Sequence, residues 1–117
     1  MKTVGDVMHR GVIGCRPEAS LVAVARTMAA HRIHCVVVAG HGVITDAELV
    51  AALDRPPETT AAMIARTAPH LDETATLEQA AEALRVQRST HALVVRQGSQ
   101  VVVGVLSTLD LAEALAA

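Results

Sequence analysis

The sequence contains no phenylalanine, tryptophan or tyrosine among its 117 residues. Proteins that bind single-stranded nucleic acids stack the bases on aromatic side chains, and that mode of recognition is excluded here. The sequence also contains no run of basic residues, and its ten Lys and Arg are outnumbered by twelve Asp and Glu. The chain therefore lacks a cluster of basic residues that could bind the phosphate backbone of a nucleic acid, and we expect no nucleic-acid partner.

Long apolar runs and export signals are missing as well. No apolar stretch reaches the ~18 residues that a membrane-spanning helix needs, because Arg26 and Arg32 interrupt the most apolar third. Residues 1–6 include a glycine and an acid where a signal peptide would be apolar. We therefore expect a cytoplasmic protein without membrane contact, in which Cys15 and Cys35 are reduced thiols.

Motifs of common enzyme classes do not occur. There is no Gly-x-Ser-x-Gly, no His-Glu-x-x-His and no phosphate-binding P-loop in the chain. Hydrophobic residues are plentiful at 51%, which is enough to bury the core of one domain. These features favour a binding module over an enzyme.

An internal repeat of about 55 residues organises the chain. A shift of 56 positions places residues 3–32 over residues 59–88. Identical residues then recur at Thr3/Thr59, Arg10/Arg66, Ala19/Ala75, Leu21/Leu77, Ala25/Ala81 and Arg32/Arg88. The order of these matches indicates a duplication.

The rest of the repeat aligns after two changes of register. One inserted residue brings residues 34–38 over 91–95, and a longer second hairpin brings residues 42–49 over 104–111. The Pro-Pro pair among charges at the centre of the chain predicts a stiff, solvated connection. The predicted organisation is a first repeat over 1–53, a linker over 54–58 and a second repeat over 59–117.

Each repeat has the same pattern of secondary-structure signals. A short helical lead-in precedes a strand, an amphipathic helix, two β-branched strands in a hairpin and a final helix. The hairpins are predicted at 36–38 with 43–44 and at 93–95 with 101–105, and the final helices at 46–53 and 108–115. The fold class is therefore α/β (α+β), with two pseudo-symmetric β-α-β-β-α repeats. We expect their sheets to pack together with the helices outside.

The final hairpin strand of each repeat leads into a shared motif of glycine, two apolar residues, a hydroxyl residue, two further residues and an acid. Its members are Gly42, Thr45 and Glu48 in the first repeat and Gly104, Ser107 and Asp110 in the second. The hydroxyl and the first N–H groups of a helix can hold a phosphate oxygen, and one helical turn brings the acid back beside the hydroxyl. A carboxylate suits the two hydroxyls of a ribose. The same spacing is also that of an ordinary helix capping box.

This duplicated order and motif resemble a pair of cystathionine-β-synthase (CBS) domains, a Bateman module, over essentially residues 3–116. The resemblance implies a stand-alone regulatory module. It would bind an adenosine-containing ligand (AMP, ADP, ATP, NAD or S-adenosylmethionine) in the cleft between repeats and signal its occupancy to an effector protein. No cofactor is implied as obligatory, and which of these ligands binds is left open.

The resemblance also implies the ligand-binding residues. Asp110 and Ser107 would hold the ribose and its 5′ side, with Thr45 and Glu48 in the same roles in the first repeat. Apolar residues such as Val36 and Leu93 would enclose the adenine, and His34 and His91 match phosphate-contacting histidines of adenylate-sensing kinase subunits. We expect the second repeat to hold the better site, because Glu48 lengthens the first repeat's acidic arm.

Two alternatives remain from the residues themselves. The chain could be a ligand-free scaffold for dimerisation or protein interaction, with the motif serving only to cap helices. It could also be a metal- or redox-responsive module that uses His34, Cys15 and Cys35. The alanine-rich helices suit close helix contacts, so we expect a homodimer.

Overall fold

The computed structural model describes residues 1–117. The helices are α1 (Val4–Val7), α2 (Leu21–His31), α3 (Asp46–Ala51), α4 (Ala61–Ile64), α5 (Leu77–Gln87) and α6 (Thr108–Ala116). The strands are β1 (His9–Arg10), β2 (Gly14–Cys15), β3 (Cys35–Val38), β4 (Gly42–Thr45), β5 (His70–Asp72), β6 (His91–Val95) and β7 (Val102–Ser107). The predicted α/β fold with two β-α-β-β-α repeats is confirmed. None of the helices combines the length and the apolar character that crossing a membrane requires.

The chain forms two compact units, and the first combines residues 1–12 with residues 68–117. Its sheet has the order β1-β7-β6-β5, in which β5 and β6 are parallel and the other neighbours are antiparallel. A hydrophobic core fills the space between this sheet and its helices. The fully buried members of that core are Val4, Ala80, Ala92, Val94 and Leu106.

The second unit comprises residues 13–67 and has a three-stranded sheet of order β2-β3-β4. Strands β2 and β3 are parallel, and β3 and β4 are antiparallel. A backbone bridge between Val43 and Arg66 takes the place that the β1–β7 pairing has in the first unit. The fully or almost fully buried core residues here are Val24, Val36, Val38, Ile44 and Ala61.

Each unit contains the lead-in helix of the other sequence repeat. The N–H of Val4 in α1 donates to the carbonyl of Ala75 at 2.9 Å, and the N–H of Ala61 in α4 donates to the carbonyl of Ala19 at 2.8 Å. Both helices have only four residues, too few to be stable without tertiary packing. Burial of Val4 and Ala61 in the two cores supplies that packing. The predicted repeats are therefore the units of sequence duplication. Each compact unit of the structure, however, takes its lead-in helix from the other repeat.

Strand pairing shows that the predicted one-residue insertion, which placed residues 34–38 over residues 91–95, is wrong. Cys35 pairs with Thr45 in unit 2, and His91 pairs with Ser107 in unit 1. Because Thr45 and Ser107 are the matching motif hydroxyls, Cys35 corresponds to His91. The shift of 56 therefore continues from the long helices into β3 and β6 without a change.

This correction separates the two histidines that the sequence had aligned. His34 corresponds to Thr90 instead of His91, as a second pair of hydrogen bonds also shows. The N–H of Asp46 donates to the carbonyl of His34 at 3.3 Å, and the N–H of Thr108 donates to the carbonyl of Thr90 at 2.9 Å.

Candidate functional site

The motif residues of the second repeat meet where β7 ends and α6 begins. The N–H of Ser107 donates to Oδ2 of Asp110 at 2.8 Å, and the N–H of Asp110 donates to Oγ of Ser107 at 3.1 Å. Together these bonds form a capping box at the first turn of α6. The structure thus brings Ser107 and Asp110 together at the strand-to-helix junction, as the spacing predicts.

The Asp110 carboxylate has a further partner that the sequence did not indicate. Nδ1 of His9, in β1, lies 3.0 Å from Oδ1 and 3.2 Å from Oδ2 of Asp110. The Asp110 side chain is only 2% exposed, whereas the His9 side chain is 76% exposed. The carboxylate therefore lies buried beneath a histidine that faces solvent. Only the pairing of β1 with β7, which sets His9 opposite Val105, reveals this contact.

The corresponding junction in unit 2 joins β4 to α3. The N–H and the hydroxyl of Thr45 both donate to Oε1 of Glu48, each at 2.7 Å. Thr45 is buried and Glu48 is half-buried. No hydrogen bond or ion pair reaches Oε2 of Glu48, which makes this carboxylate less occupied than that of Asp110.

The motif glycines have a packing role at both junctions. A Cβ on Gly104 would lie 2.5 Å from the carbonyl oxygen of His9 and 2.7 Å from Sδ of Met8. A Cβ on Gly42, where φ is +103°, would overlap the carbonyl oxygen of Arg66. Glycine therefore permits the close approach of the backbone segment that pairs with β7 or β4.

The two candidate phosphate-contacting histidines lie in different local environments. Nδ1 of His34 is 2.9 Å from Oδ2 of Asp46, and both side chains are largely exposed. This hydrogen bond, chiefly, lowers the pKa of Asp46 below its usual value. Nδ1 of His91 is 2.9 Å from Oγ1 of Thr90, its neighbour in the chain.

The candidate adenine-contacting residues face different sides of their sheets. Val36 is fully buried in the core that also contains Val24 and Met28, so a ligand could reach it only by opening that core. Leu93 is also buried but alternates with Ala92 and Val94, which face the core of unit 1. Because Val36 matches Ala92, the residue of unit 2 that corresponds to Leu93 is Val37.

The cysteines have the environment of structural thiols. Burial, and secondarily the charge of Glu48, raises the pKa of Cys35 to about 12, and burial also raises the pKa of Cys15. Both shifts disfavour the thiolate that redox chemistry and metal binding require. No group of three His, Cys, Asp or Glu side chains has an arrangement that could hold a metal ion. The structure therefore does not bring His34, Cys15 and Cys35 together as a metal site.

Comparison with solved structures identifies similar folds over nearly the whole chain. Hypoxic Response Protein I, crystallised with two coordinated zinc ions, has 26% identity and a TM-score of 0.79, covering 97% of this chain and 99% of its own. The CBS domain pair of protein MJ0100, in complex with 5′-methylthioadenosine and S-adenosyl-L-methionine, has 18% identity and a TM-score of 0.87, with coverages of 99% and 97%. CBSX2 in complex with AMP has 18% identity and a TM-score of 0.80, with the same coverages.

Sequence comparison assigns the family. No curated protein matches the chain at a significant level. A family model described as "CBS domain" matches twice, over residues 4–55 and 61–117. Together these matches cover most of the chain, in the order that the internal repeat predicts. The chain belongs to the CBS-domain family as a tandem pair of CBS domains.

Proposed function

We propose that this CBS pair is a regulatory module that binds an adenosine-containing ligand (AMP, ADP, ATP, NAD or S-adenosylmethionine) and signals its occupancy to an effector protein. The observation that carries the proposal is the hydroxyl–carboxylate pair at a strand-to-helix junction in each unit. Such a pair offers acceptors for ribose hydroxyls beside donors for a phosphate. The AMP and S-adenosyl-L-methionine complexes of proteins with the same fold support this class of ligand.

In unit 1, Asp110 would accept hydrogen bonds from the ribose and Ser107 would lie by its 5′ side, with Leu93 near the base. The His9 ring occupies the carboxylate, so a ribose must displace it to gain both oxygens. His9 is exposed and is held there by a single side-chain partner, which makes its displacement feasible. His91, at the start of β6, would contact the phosphate of a nucleotide.

In unit 2, Thr45 and Glu48 would take the corresponding roles. Oε2 of Glu48 can accept a ribose hydroxyl without breaking an existing hydrogen bond. His34 would reach a phosphate by releasing its exposed partner Asp46. Contacts to the adenine would come from Val37, since Val36 lies in the core.

Isothermal titration calorimetry with each ligand tests the proposal. Hydrogen bonds to a charged group contribute about 1.5–3 kcal/mol, so Asp110→Ala is expected to weaken binding by that amount if unit 1 holds the ligand. Glu48→Ala reports in the same way on unit 2. A melting curve of each variant separates lost affinity from the loss of a helix cap. Unchanged affinity in both variants and in the double variant would contradict these assignments.

The proposed signalling function also involves self-association of the chain. Large hydrophobic residues remain exposed on α3 and α6, notably Val50, Leu109 and Leu115. We propose that the chain forms a homodimer through such helix faces, alongside small alanines that allow close contact. Light scattering at tens of micromolar is expected to give twice the chain mass, and a monomer mass would contradict the dimer.

A further inference from the structure

Unit 1 contains an open groove away from the Ser107–Asp110 junction, at the opposite end of β7. Its volume is about 630 Å³, within the range of small-molecule sites. The groove is formed where β1 ends, where β7 begins and beside the residue that follows β5. The lining residues that matter here are Arg10, Glu73, Arg96, Val101, Val102 and Val103.

The charged side chains of the groove are not neutralised by one another. None of Arg10, Glu73 and Arg96 takes part in an ion pair. Arg10 makes only a long hydrogen bond, 3.5 Å, from Nη2 to the carbonyl of Gly5. Two guanidinium groups against one carboxylate leave the groove with a net positive charge that can attract an anion.

The walls of the groove are apolar. Val101, Val102 and Val103 supply branched aliphatic surface, and Val101 is more than half exposed. A few charged groups set among apolar walls are the usual composition of a small-molecule site. A bare inorganic ion would leave this valine surface in water.

The groove is separate from the Asp110 site because of strand geometry. His9 and Arg10 are consecutive in β1, and consecutive side chains of a strand point to opposite faces. His9 reaches Asp110, whereas Arg10 reaches the carbonyl of Gly5. A ligand held by Arg10 would therefore not contact the Asp110 carboxylate.

We propose that this groove binds a small organic anion. A carboxylate or phosphate group would lie against Arg10 and Arg96, and a branched aliphatic body would cover the valines. Glu73 would accept a hydrogen bond from a donor on the ligand, or select against a second negative charge near it. The site is additional to adenosyl binding and does not depend on it.

NMR titration of the ¹⁵N-labelled protein tests the proposal, with isovalerate and isopentyl phosphate as probes of the two anionic groups and inorganic phosphate as the probe without an apolar body. At least one organic probe is expected to give saturable amide shifts at Arg96 and residues 101–103, and to bind at least about tenfold more tightly than inorganic phosphate. Comparison of the two organic probes shows which anionic group the arginines prefer.

Charge removal supplies the matched variants. Arg96→Gln is expected to weaken binding about tenfold or more, as removal of a charge-assisted hydrogen bond does. Arg26→Gln removes an exposed charge from α2, outside the groove, and is expected to leave binding unchanged. The absence of saturable shifts with both organic probes, or equal affinity in Arg96→Gln and the unaltered protein, would overturn the proposal.

Discussion

Nδ1 of His9 lies 3.0 Å from Oδ1 of Asp110, although the two residues are 101 positions apart in the chain. The contact joins the lead-in of the first repeat to the last helix of the second. It covers a carboxylate that is almost completely buried and that already caps α6. The same carboxylate is the proposed ribose acceptor, so the Asp110 side chain is expected to contribute both to the stability of the protein and to ligand binding.

Removal of His9 is expected to destabilise the protein. In His9→Ala the Asp110 carboxylate keeps the Ser107 N–H but loses its hydrogen bond to the imidazole, and a hydrogen bond to a charged group contributes about 1.5–3 kcal/mol. The free energy of unfolding should therefore decrease by an amount within that range, as measured by urea denaturation followed by far-ultraviolet circular dichroism.

His34→Ala is the matched control, because His34 has an equally exposed ring and a similar bond to Asp46, whose side chain is 62% exposed. Exposed ion pairs contribute little, so the control should change stability by less than about 0.5 kcal/mol. Equal losses of unfolding free energy in the two variants would contradict the expectation that the contact of His9 with buried Asp110 is more stabilising than the exposed His34–Asp46 contact.

His9→Ala is also expected to raise affinity for the adenosyl ligand at unit 1, provided that Asp110 receives the ribose. The ligand then no longer has to displace the imidazole from the carboxylate. Calorimetry should show tighter binding in His9→Ala and weaker binding in the His9→Ala/Asp110→Ala double variant. Weaker binding in the single variant would mean that His9 contacts the ligand instead of competing with it.

Gly104→Ala is expected to disrupt the pairing of β1 with β7. The added Cβ meets the backbone carbonyl of His9 at 2.5 Å, and overpacking of this kind costs about 1–3 kcal/mol. Amide hydrogen exchange should accelerate at Gly11, whose N–H donates to Val103. Gly98→Ala is the control, because its Cβ would meet no atom within 4 Å and only the positive φ opposes it. Unchanged exchange at Gly11 in Gly104→Ala would contradict the close approach.

Cys35 is expected to make stability fall in alkaline solution. Its pKa is raised to about 12 in the folded protein and is near 9.0 when unfolded, so only the unfolded state loses this proton between those values. The free energy of unfolding should be unaffected by Cys35 below pH 9 and should then decline by up to about 1.4 kcal/mol per pH unit. Urea denaturation at pH 8 to 10 should show a steeper decline in the unaltered protein than in Cys35→Ala. Parallel declines would contradict the burial of this thiol.

Much of the architecture could be predicted from local patterns. The hairpins, the amphipathic helices α2 and α5 and the motif pairs Ser107–Asp110 and Thr45–Glu48 depend on residues that are near in sequence. Periodicity and capping chemistry therefore suffice for them. The predicted final helices were nearly correct: α3 ends at Ala51 instead of residue 53, and α6 extends to Ala116.

Register and long-range contacts could not be predicted in the same way. Three consecutive valines in β3 can be aligned with β6 in more than one register. Matching the histidines at positions 34 and 91 therefore shifted the predicted alignment of the two repeats by one residue. The true marker is the pairing of Cys35 and His91 with the motif hydroxyls, which depends on tertiary structure. The His9–Asp110 contact was missed because His9 packs with the other repeat.

The most direct test of the proposed adenosyl sensor uses the absence of aromatic residues. Without Trp or Tyr the protein has almost no near-ultraviolet absorbance, so an adenine retained through purification would dominate the spectrum. A melting series with AMP, ATP, NAD and S-adenosylmethionine completes the measurement. Ligand at ~100 times its dissociation constant adds about 2.7 kcal/mol of stability, which raises the melting temperature by several degrees for a domain of this size. We predict an adenine band or such a rise with at least one of these ligands. A protein with no adenine band and no rise at millimolar concentrations of all four would contradict the account and favour a ligand-free interaction scaffold.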